Sequence, residues 1–390
     1  MERPMTSISP DASLRIASIV LVGTTLALTA CGGRDPASPA QNPGTVTAAT
    51  ERVVNVSNWP DYIAPGLLEQ FTAETGIRVN YSTFDGNEML ETKLLTGNSG
   101  YDVVVPSAAF LQRQVAAGGY QPINRARLSN YDNLDPGMMA LLATNDPGNL
   151  HGVGNMWGTT GIGYDARKVT ALAPDAPTDS WRLVFDPKVA KRLANCGIAF
   201  IDAPSEVLSV TLMALGKDPY SEDPADLAAA EAALLAIRPY VRYVNTVPLL
   251  EDLAAGNLCV AVLWSGDAVR ARVRATEAKV DSDIRYMIPA EGTLSWFDVL
   301  AIPSDAPHPV EAHAFIDFML RADVAAKNAT SVRYATFNRA ALPLLDPSLA
   351  GDTATYPTAE ARARLHVMQP RTLEQTRVEN RIWTRFQTGR

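Results

Sequence analysis

The sequence predicts an α/β fold with a largely parallel sheet. From Arg52 onward, segments with the pattern of β-strands alternate with segments in which apolar residues recur at helical spacing. Residues 101–106, with three consecutive valines, have the apolar character of strands that are buried on both faces of a parallel sheet. Such alternation of strands and helices is typical of α/β domains.

Each element of this first part follows from local signals. The predicted strands are 53–57, 77–81 and 101–106, and the predicted helices are 64–75, 88–96 and 110–117. Leu67 and Phe71 lie one helical turn apart in the first helix, which Gly76 is expected to end. Residues 77–81 alternate between apolar and polar side chains, as expected of a strand with one buried face.

The rest of the chain is predicted to be more helical. Its middle opens at 181–185, continues with helices at 205–215 and 225–237, and contains short strands at 197–201, 241–244 and 258–263. Helices are also predicted at 310–320, 324–330 and 359–386. Residues 136–154 and 298–303 are the expected places for the chain to pass between two lobes. About 340 residues follow the N-terminal segment, which is enough for two domains with separate cores.

The N-terminus has the pattern of a targeting segment. Arg3 and Arg15 precede the apolar run 16–30, which is too short for a comfortable membrane span and is typical of a signal-peptide core. The sequence Leu-Thr-Ala-Cys-Gly at 28–32 resembles the bacterial lipobox, which implies cleavage before Cys31 and a lipid on its thiol. An ordinary secretory signal with a chance cysteine is the alternative.

Residues 32–50 are dense in Pro, Gly, Ser and Thr and lack hydrophobic periodicity, so a flexible tether is expected there. We therefore assign 1–30 to a signal peptide and 31–51 to the lipid-anchored cysteine and its tether. Cys196 and Cys259 then remain, and an even pair in an exported protein indicates one disulfide. That bond would stabilise the fold by about 4 kcal/mol in the chain-entropy picture. Two buried free thiols are the alternative.

The chain is acidic, with 42 Asp and Glu against 34 Lys and Arg and a formal net charge of -8. The charges within residues 1–30 cancel, so the mature part keeps this value. An acidic body argues against a nucleic-acid partner and mildly favours a cationic ligand.

Three short stretches, at 59–62, 264–267 and 296–298, place a tryptophan beside an aspartate although they lie far apart in the chain. A carboxylate attracts an ammonium group, and the face of an indole ring attracts the same cation. Trp59 and Trp264 each follow a predicted strand, and ligands of α/β folds sit at the carboxyl ends of strands. The pattern therefore predicts one cleft for a small organic cation. The alternative is that the tryptophans are core residues and the aspartates cap turns or helices.

Eight motifs, in family order, resemble the polyamine-binding proteins of bacterial ABC importers, and most closely the putrescine-binding members. They include Ser-Asn-Trp-Pro-Asp-Tyr-Ile-Ala-Pro at 57–65, Trp-Ser-Gly-Asp at 264–267 and Ser-Trp-Phe-Asp at 295–298. The motifs lie at 57–65, 71–76, 101–107, 158–164, 202–206, 264–267, 289–298 and 334–338. They span nearly the whole body of the chain from Arg52.

The resemblance implies a type II periplasmic-binding-protein fold with two lobes and a hinge between them. Each lobe is expected to be a mixed or parallel sheet flanked by helices. Lobe 1 is expected to comprise 52–156 plus 298–343, and lobe 2 to comprise 157–297 plus 344–390.

The resemblance also implies which residues line the cleft. These are Trp59, Asp61, Tyr62 and Ser107 from the first lobe, Glu206, Trp264 and Asp267 from the second, Trp296 and Asp298 near a crossover, and Tyr334 from the helix beyond it. Asp298 is expected to bind one ammonium directly, between the faces of Trp296 and Tyr334. Glu206 and Asp267 are expected to take the other end of the ligand, with Trp264 over the methylenes. Asp61 is expected to act directly or through water.

Two departures from the family pattern bear on the ligand. Pro60 stands where a small hydroxylated residue is common, and Trp296 stands where putrescine-type members carry a smaller aromatic residue. Trp at this position is a spermidine-type feature, whereas Asp61 and Asp267 are putrescine-like. Putrescine is therefore the expected ligand, and spermidine or another cationic amine bound for a sensory role is the alternative.

These inferences predict a periplasmic, lipid-anchored receptor that closes on a polyamine and delivers it to ABC permease subunits. We expect a monomer that is anchored to a membrane by its N-terminal lipid and has no cofactor, no metal and no catalytic residues.

A carbohydrate-binding protein or glycoside hydrolase also needs Trp platforms and paired carboxylates. Sugars carry no charge, however, and the motifs supply four acids without Arg or Lys, which favours a cation. A ferric-ion site would need a cluster of tyrosines and histidine, and Tyr334 has no adjacent tyrosine. The histidines are scattered along the sequence at His151, His308, His313 and His366.

Overall fold

The computed structural model describes residues 52–389, which form eleven strands and sixteen α-helices. The strands are β1 (Val53–Asn58), β2 (Arg78–Thr83), β3 (Val103–Val104), β4 (Gly152–Asp165), β5 (Ile198–Phe200), β6 (Tyr243–Val244), β7 (Val260–Trp264), β8 (Ile284–Met287), β9 (Thr293–Ala301), β10 (Ala335–Thr336) and β11 (Leu365–Val367). The helices are α1 (Leu67–Thr75), α2 (Asn87–Leu95), α3 (Ala108–Ala116), α4 (Pro136–Leu142), α5 (Ala166–Leu172), α6 (Arg182–Phe185), α7 (Pro187–Leu193), α8 (Pro204–Ala214), α9 (Pro224–Ile237), α10 (Leu249–Ala254), α11 (Ser265–Glu277), α12 (Pro309–Met319), α13 (Ala322–Val332), α14 (Pro347–Ala350), α15 (Ala359–Arg362) and α16 (Leu373–Thr388).

The predicted signal peptide, Cys31 and the tether lie outside the described residues. Across 52–389, none of the helices combines the length and the apolar character needed to cross a lipid bilayer.

The strands form one mixed sheet in the order β2-β1-β3-β9-β4-β7-β5-β6. At one end β1 is parallel to β2 and β3, and at the other end β5 is parallel to β6 and β7. In the middle β4 is antiparallel to β9 and β7. The short strands β8 and β10 pair with β4, and β11 pairs with β9. The sheet is therefore parallel towards both ends and antiparallel at its centre.

Two hydrophobic cores lie along this sheet, and β4 runs through both. The first core contains Phe71 and Phe337, and the second contains Trp181 and Phe200. β4 is buried along all of its 14 residues. Its first part pairs with β9 and its last part pairs with β7 and β8, so a single strand connects the two cores.

The alternation of strands and helices predicted for the first part of the chain is confirmed, because β1, α1, β2, α2, β3 and α3 follow in that order. Gly76 directly after α1 has a φ of 68°, a left-handed conformation that glycine adopts without strain. β3 is shorter than the predicted strand. Pro106 has no N–H for a longer ladder, and α3 begins at Ala108.

Two expectations for the last part of the chain are wrong. Residues 359–386 are not helical throughout, since α15 is followed by β11 and only then by α16. β11 pairs in parallel with β9, with Leu365 opposite Thr293, and Pro370 interrupts any helix between them. Tyr334 lies between α13 and β10 rather than on a helix, since Arg333 adopts a φ of 62° and ends α13.

The disulfide between Cys196 and Cys259 is confirmed, with the two Cα atoms 5.6 Å apart. Cys259 directly precedes β7, and Cys196 lies two residues before β5. Because β5 and β7 are parallel neighbours, the residues that lead into them meet at the same edge of the sheet. The fold thus brings the two thiols together across 63 residues of sequence.

Candidate ligand-binding site

A cavity of about 510 Å³ lies between the two cores, and all ten residues predicted for a cleft line it. These residues are Trp59, Asp61, Tyr62, Ser107, Glu206, Trp264, Asp267, Trp296, Asp298 and Tyr334. The fold therefore brings together side chains that are up to 275 positions apart in sequence, from Trp59 to Tyr334.

The first core contributes residues from the ends of β1 and β3 and from β9. Trp59 directly follows β1, and Tyr62 lies in the turn after it. Ser107 directly precedes α3. Trp296 and Asp298 lie two positions apart on β9, so their side chains are on the same face of the sheet.

The second core contributes residues from two helix N-termini. Glu206 lies in the first turn of α8, and Asp267 lies in the first turn of α11. Backbone N–H groups at helix N-termini favour negative side chains there. Trp264 ends β7 immediately before α11, so the strand and helix place the indole and the Asp267 carboxylate side by side.

Asp298 is held by two neutral donors from the first core. Tyr62 donates its hydroxyl to Oδ2 at 2.8 Å, and Ser107 donates its hydroxyl to Oδ1 at 2.8 Å. Asn87 orients Ser107, since its amide donates to Ser107 Oγ at 3.1 Å and accepts from Ser107 N at 3.0 Å. Asp298 is only 4% exposed, and this burial raises its pKa to about 6.

Glu206 also has neutral donors only. The Thr160 hydroxyl donates to its Oε2, and Trp264 Nε1 donates to the same oxygen at 3.0 Å. The other carboxylate oxygen, Oε1, therefore remains for a ligand. Burial raises the pKa of Glu206 to about 7, and the negative charge of Asp298 adds to this rise.

Aromatic rings form a continuous wall around these carboxylates. The ring centroids of Trp59 and Trp264 are 6.4 Å apart, those of Trp264 and Trp296 6.5 Å, and those of Trp296 and Tyr334 5.2 Å. Tyr334 in turn lies 5.5 Å from Tyr62. All four contacts are edge-to-face, a favourable geometry for aromatic pairs. Trp296 Nε1 is buried and has no hydrogen-bond partner among the described residues.

Two glycines make room for this wall. A Cβ atom on Gly158 would lie 2.5 Å from Trp296 Cζ2, and one on Gly266 would lie 2.5 Å from Tyr334 Cε1. Side chains do not tolerate such distances, so both rings occupy space that only glycine leaves open. Gly158 lies opposite Trp296 in the β4–β9 ladder.

The exposed end of the cavity, which we call the mouth, is formed by Asp61, Glu251, Asp267, Arg270 and Arg274. Arg270 Nη2 lies 2.7 Å from Asp61 Oδ2, and its Nη1 lies 3.6 Å from Asp267 Oδ1. Arg274 pairs with Glu251 and lies 3.8 Å from Asp61 Oδ2. Asp267 also accepts a hydrogen bond from the Tyr334 hydroxyl at 3.1 Å, and burial raises its pKa above the ordinary range.

The two arginines at the mouth were not among the predicted site residues, because none of the motifs contains Arg or Lys. One sequence signal was present. Arg270 lies three positions after Asp267, a spacing that places both side chains on one face of a helix. Local patterns did not predict α11 or the long strand β4. The contributions of Thr160 and Gly158, which lie on β4, to the site were therefore missed as well.

The inner end of the cavity can bind positive charge. Of the ion pairs described between residues 52 and 389, none includes Asp298 or Glu206. Two carboxylates buried together without a counter-ion repel each other and resist ionisation. A ligand with two positive groups and an apolar middle would stabilise both carboxylates and contact the aromatic wall.

Comparison with known proteins identifies relatives over almost the whole described chain. A family model for the bacterial extracellular solute-binding proteins matches residues 66–360. The chain is 44% identical to the putrescine-binding periplasmic protein SpuD of Pseudomonas aeruginosa, over 89% of this chain and 95% of that one. It is 43% identical to the putrescine-binding periplasmic protein PotF of Escherichia coli, over 88% and 93% of the two chains.

The chain is also similar in structure to a solved polyamine-binding protein. The spermidine/putrescine ABC transporter substrate-binding protein PotD of Streptococcus pneumoniae aligns with a TM-score of 0.72 and 30% identity, covering 87% of this chain and 99% of that one. The predicted type II periplasmic-binding-protein fold, with a mixed sheet flanked by helices, is confirmed. The resemblance that the sequence motifs indicated is confirmed by the same matches.

Proposed function

The chain belongs to the bacterial extracellular solute-binding proteins, and we propose that it is a periplasmic receptor that binds putrescine and delivers it to an ABC permease. The observation that carries this proposal is the buried pair Asp298 and Glu206, whose partners are neutral donors. A protonated diamine supplies the two positive charges that this pair lacks. The names of the relatives, which refer to putrescine, support the same ligand.

In this proposal one ammonium of putrescine binds Asp298 and the other binds Glu206 through Oε1. The rings of Trp264, Trp296 and Tyr334 cover the methylenes, and each cation–aromatic contact contributes about 0.5–2 kcal/mol. Asp61 and Asp267, which the sequence also offers to an ammonium, are already paired with Arg270. We therefore give them an indirect role at the mouth.

We further propose that the two cores are the two lobes that close on the ligand. The separate cores support a division close to 52–156 plus 298–343 and 157–297 plus 344–390, with two refinements. Leu345, Leu349 and Met368 pack in the first core, so we assign 344–368 to lobe 1. Trp157, Trp296 and Phe297 also pack in the first core, so we move the lobe boundaries into β4 and β9. The Asp61–Arg270 ion pair and the Trp59–Trp264 contact join opposite lobes, which is the arrangement expected of a closed cleft.

We also propose that the protein acts as a monomer without a cofactor, metal or catalytic activity, and that a lipid on Cys31 holds it at a membrane. The relatives' names as substrate-binding transport proteins support a role in uptake rather than catalysis. The lipid is supported by the motif at 28–32 alone.

Labelled palmitate should enter the wild-type protein in cells and not the Cys31→Ala variant. Equal labelling would contradict the anchor.

Titration calorimetry with putrescine, spermidine, agmatine and maltose tests the binding proposal. We expect one site that binds putrescine and does not bind maltose. Binding of maltose without binding of any amine would replace the proposal with the carbohydrate-binding alternative.

A further inference from the structure

Arg270 places a permanent positive charge in a cavity proposed to bind cations. Its guanidinium contacts Asp61 at 2.7 Å and Asp267 at 3.6 Å, and its side chain is 15% exposed. A guanidinium stays protonated throughout the physiological pH range. Because carboxylates from two different elements hold it, the loop after β1 and helix α11, its charge is fixed at the mouth.

Five of the six carboxylates around the cavity fall into two groups. Asp61, Glu251 and Asp267 each have an arginine partner at the mouth. Asp298 and Glu206 at the inner end accept hydrogen bonds from neutral donors. The remaining carboxylate on the cavity wall, that of Asp85, is exposed to solvent, where water weakens its attraction for a cation. The cavity therefore provides unpaired, desolvated acceptors for two positive charges.

We propose that Arg270 determines specificity by restricting the site to ligands with two positive charges. This inference rests on the proposed binding of an amine by Asp298 and Glu206. A third ammonium on the same ligand would have to lie toward the mouth, where the Arg270 guanidinium repels it and the carboxylates are already neutralised. Moving Arg270 away would break both of its ion pairs.

The packing of Trp296 agrees with this restriction. Trp at this position is a spermidine-type feature of the sequence, which would favour a longer, trivalent ligand. In the structure, however, the extra ring volume fits into the space beside Gly158 and against Tyr334. The larger side chain is thus accommodated by the protein, and charge at the mouth rather than ring size selects the ligand.

The experiment has to separate ligand charge from ligand length. Spermidine and N-propylputrescine share a four-carbon diamine unit with two positive charges and a three-carbon extension on one nitrogen, but only spermidine carries a third ammonium, at the end of that extension. Calorimetric dissociation constants for these two probes and for putrescine are measured on the mature protein. We expect the wild-type protein to bind N-propylputrescine about tenfold more tightly than spermidine, as expected for one unfavourable charge contact.

Three variants assign this preference to Arg270. In Arg270→Gln the preference for N-propylputrescine over spermidine should fall to about twofold or less, and in Arg270→Lys, which keeps the charge, it should remain. Arg272→Gln is the matched control. It removes one positive charge from the same helix, but Arg272 pairs with Asp352 and does not line the cavity. Melting temperatures with and without putrescine establish that each variant is folded.

Two outcomes overturn the inference while leaving the putrescine proposal intact. One is wild-type protein that binds spermidine as tightly as N-propylputrescine, and the other is an Arg270→Gln variant with an unchanged preference. Wild-type protein that binds none of the amines would overturn the proposed function itself, and this inference with it.

Discussion

The inner end and the mouth of the cavity both contain acidic residues, but these residues have opposite environments. At the inner end, Asp298 and Glu206 are 4% and 8% exposed and have neutral hydrogen-bond donors. At the mouth, the Asp61 side chain is 68% exposed and pairs with Arg270. The inner carboxylates therefore bear the cost of burial without a counter-ion, whereas those at the mouth are already neutralised.

This difference indicates where binding free energy comes from. An exposed ion pair in water contributes little to stability or affinity. A buried carboxylate without a cation gains much more when a positively charged ligand arrives, because the ligand replaces both the lost water and the missing partner. We accordingly assign ligand affinity to the inner end and ligand selection to the mouth.

The largest expected effect is the loss of a charge at the inner end. Asp298→Asn keeps the size of the side chain and removes its negative charge, so putrescine affinity should fall by about 100-fold, the value expected for a hydrogen-bonded charge contact. Calorimetry measures the change. The melting temperature of the ligand-free protein should not fall, since a poorly solvated carboxylate is removed.

The matched control for that substitution is Asp61→Asn at the mouth. It makes the same chemical change on an exposed side chain, and putrescine affinity should change by less than about threefold. Equal losses in the two variants would show that the inner end and the mouth do not differ in the way proposed.

The second prediction concerns pH. Putrescine needs both inner carboxylates ionised, and burial raises the pKa of Asp298 to about 6 and that of Glu206 to about 7 in the ligand-free protein. Affinity should therefore fall about tenfold between pH 7.5 and pH 6, because the ligand competes with protons. Calorimetry at both pH values checks this. In Glu206→Gln binding is weaker overall, and its remaining pH dependence should move to lower pH.

The stability of the ligand-free protein should change with pH in the opposite sense. Both carboxyl groups have folded-state pKa values above their unfolded values of about 4. Their contribution to stability is therefore fully present below about pH 4 and is lost as pH rises through about 6 and about 7. The rise in melting temperature caused by putrescine should accordingly grow from pH 5.5 to pH 7.5. A ligand-induced rise that does not depend on pH would contradict the raised pKa values.

The third prediction concerns the aromatic wall. In Gly158→Ala the new methyl group would overlap Trp296 and shift its ring, so putrescine affinity should fall by about fivefold, equivalent to one weakened cation–aromatic contact. Titrating putrescine and following the quenching of tryptophan fluorescence measures this affinity. Gly137→Ala in α4, away from the cavity, is the control and should bind like wild type. Normal binding by Gly158→Ala would mean that Trp296 does not contact the ligand.

The smallest expected change in putrescine affinity is for a substitution at the mouth. Arg274 pairs with Glu251 and is 39% exposed, so Arg274→Gln should change putrescine affinity by less than about twofold. The same calorimetric titration checks this. A loss of tenfold or more would show that the mouth contributes substantially to putrescine affinity, which would contradict the assignment of affinity to the inner end.

Local sequence patterns predicted much of the fold, and the family motifs predicted half of the residues that line the cavity. The α/β alternation after Arg52 follows from short-range periodicity, and the ten residues predicted from the motifs are among the twenty that line the cavity. Arg270 could not be identified in this way, because its role depends on a tertiary ion pair with Asp61, 209 positions away. β11 was missed for a similar reason, since its three residues become a strand only by pairing with β9.

The role of Gly158 in leaving space for Trp296 also depends on tertiary packing. Its neighbours in sequence give no sign that Trp296 fills the space above it, and only the β4–β9 register reveals this. The neutral partners of Asp298 and Glu206 likewise come from four different segments, so their common lack of a cation appears only once the chain is folded.

The most direct test of this account is a crystal structure of the protein with putrescine bound. We predict one ammonium within hydrogen-bond distance of Asp298 and the other within hydrogen-bond distance of Glu206, with Arg270 still paired to Asp61 and Asp267. An ammonium bound to Asp267 in place of Arg270, with Glu206 left unpaired, would contradict the assignment of affinity to the inner end.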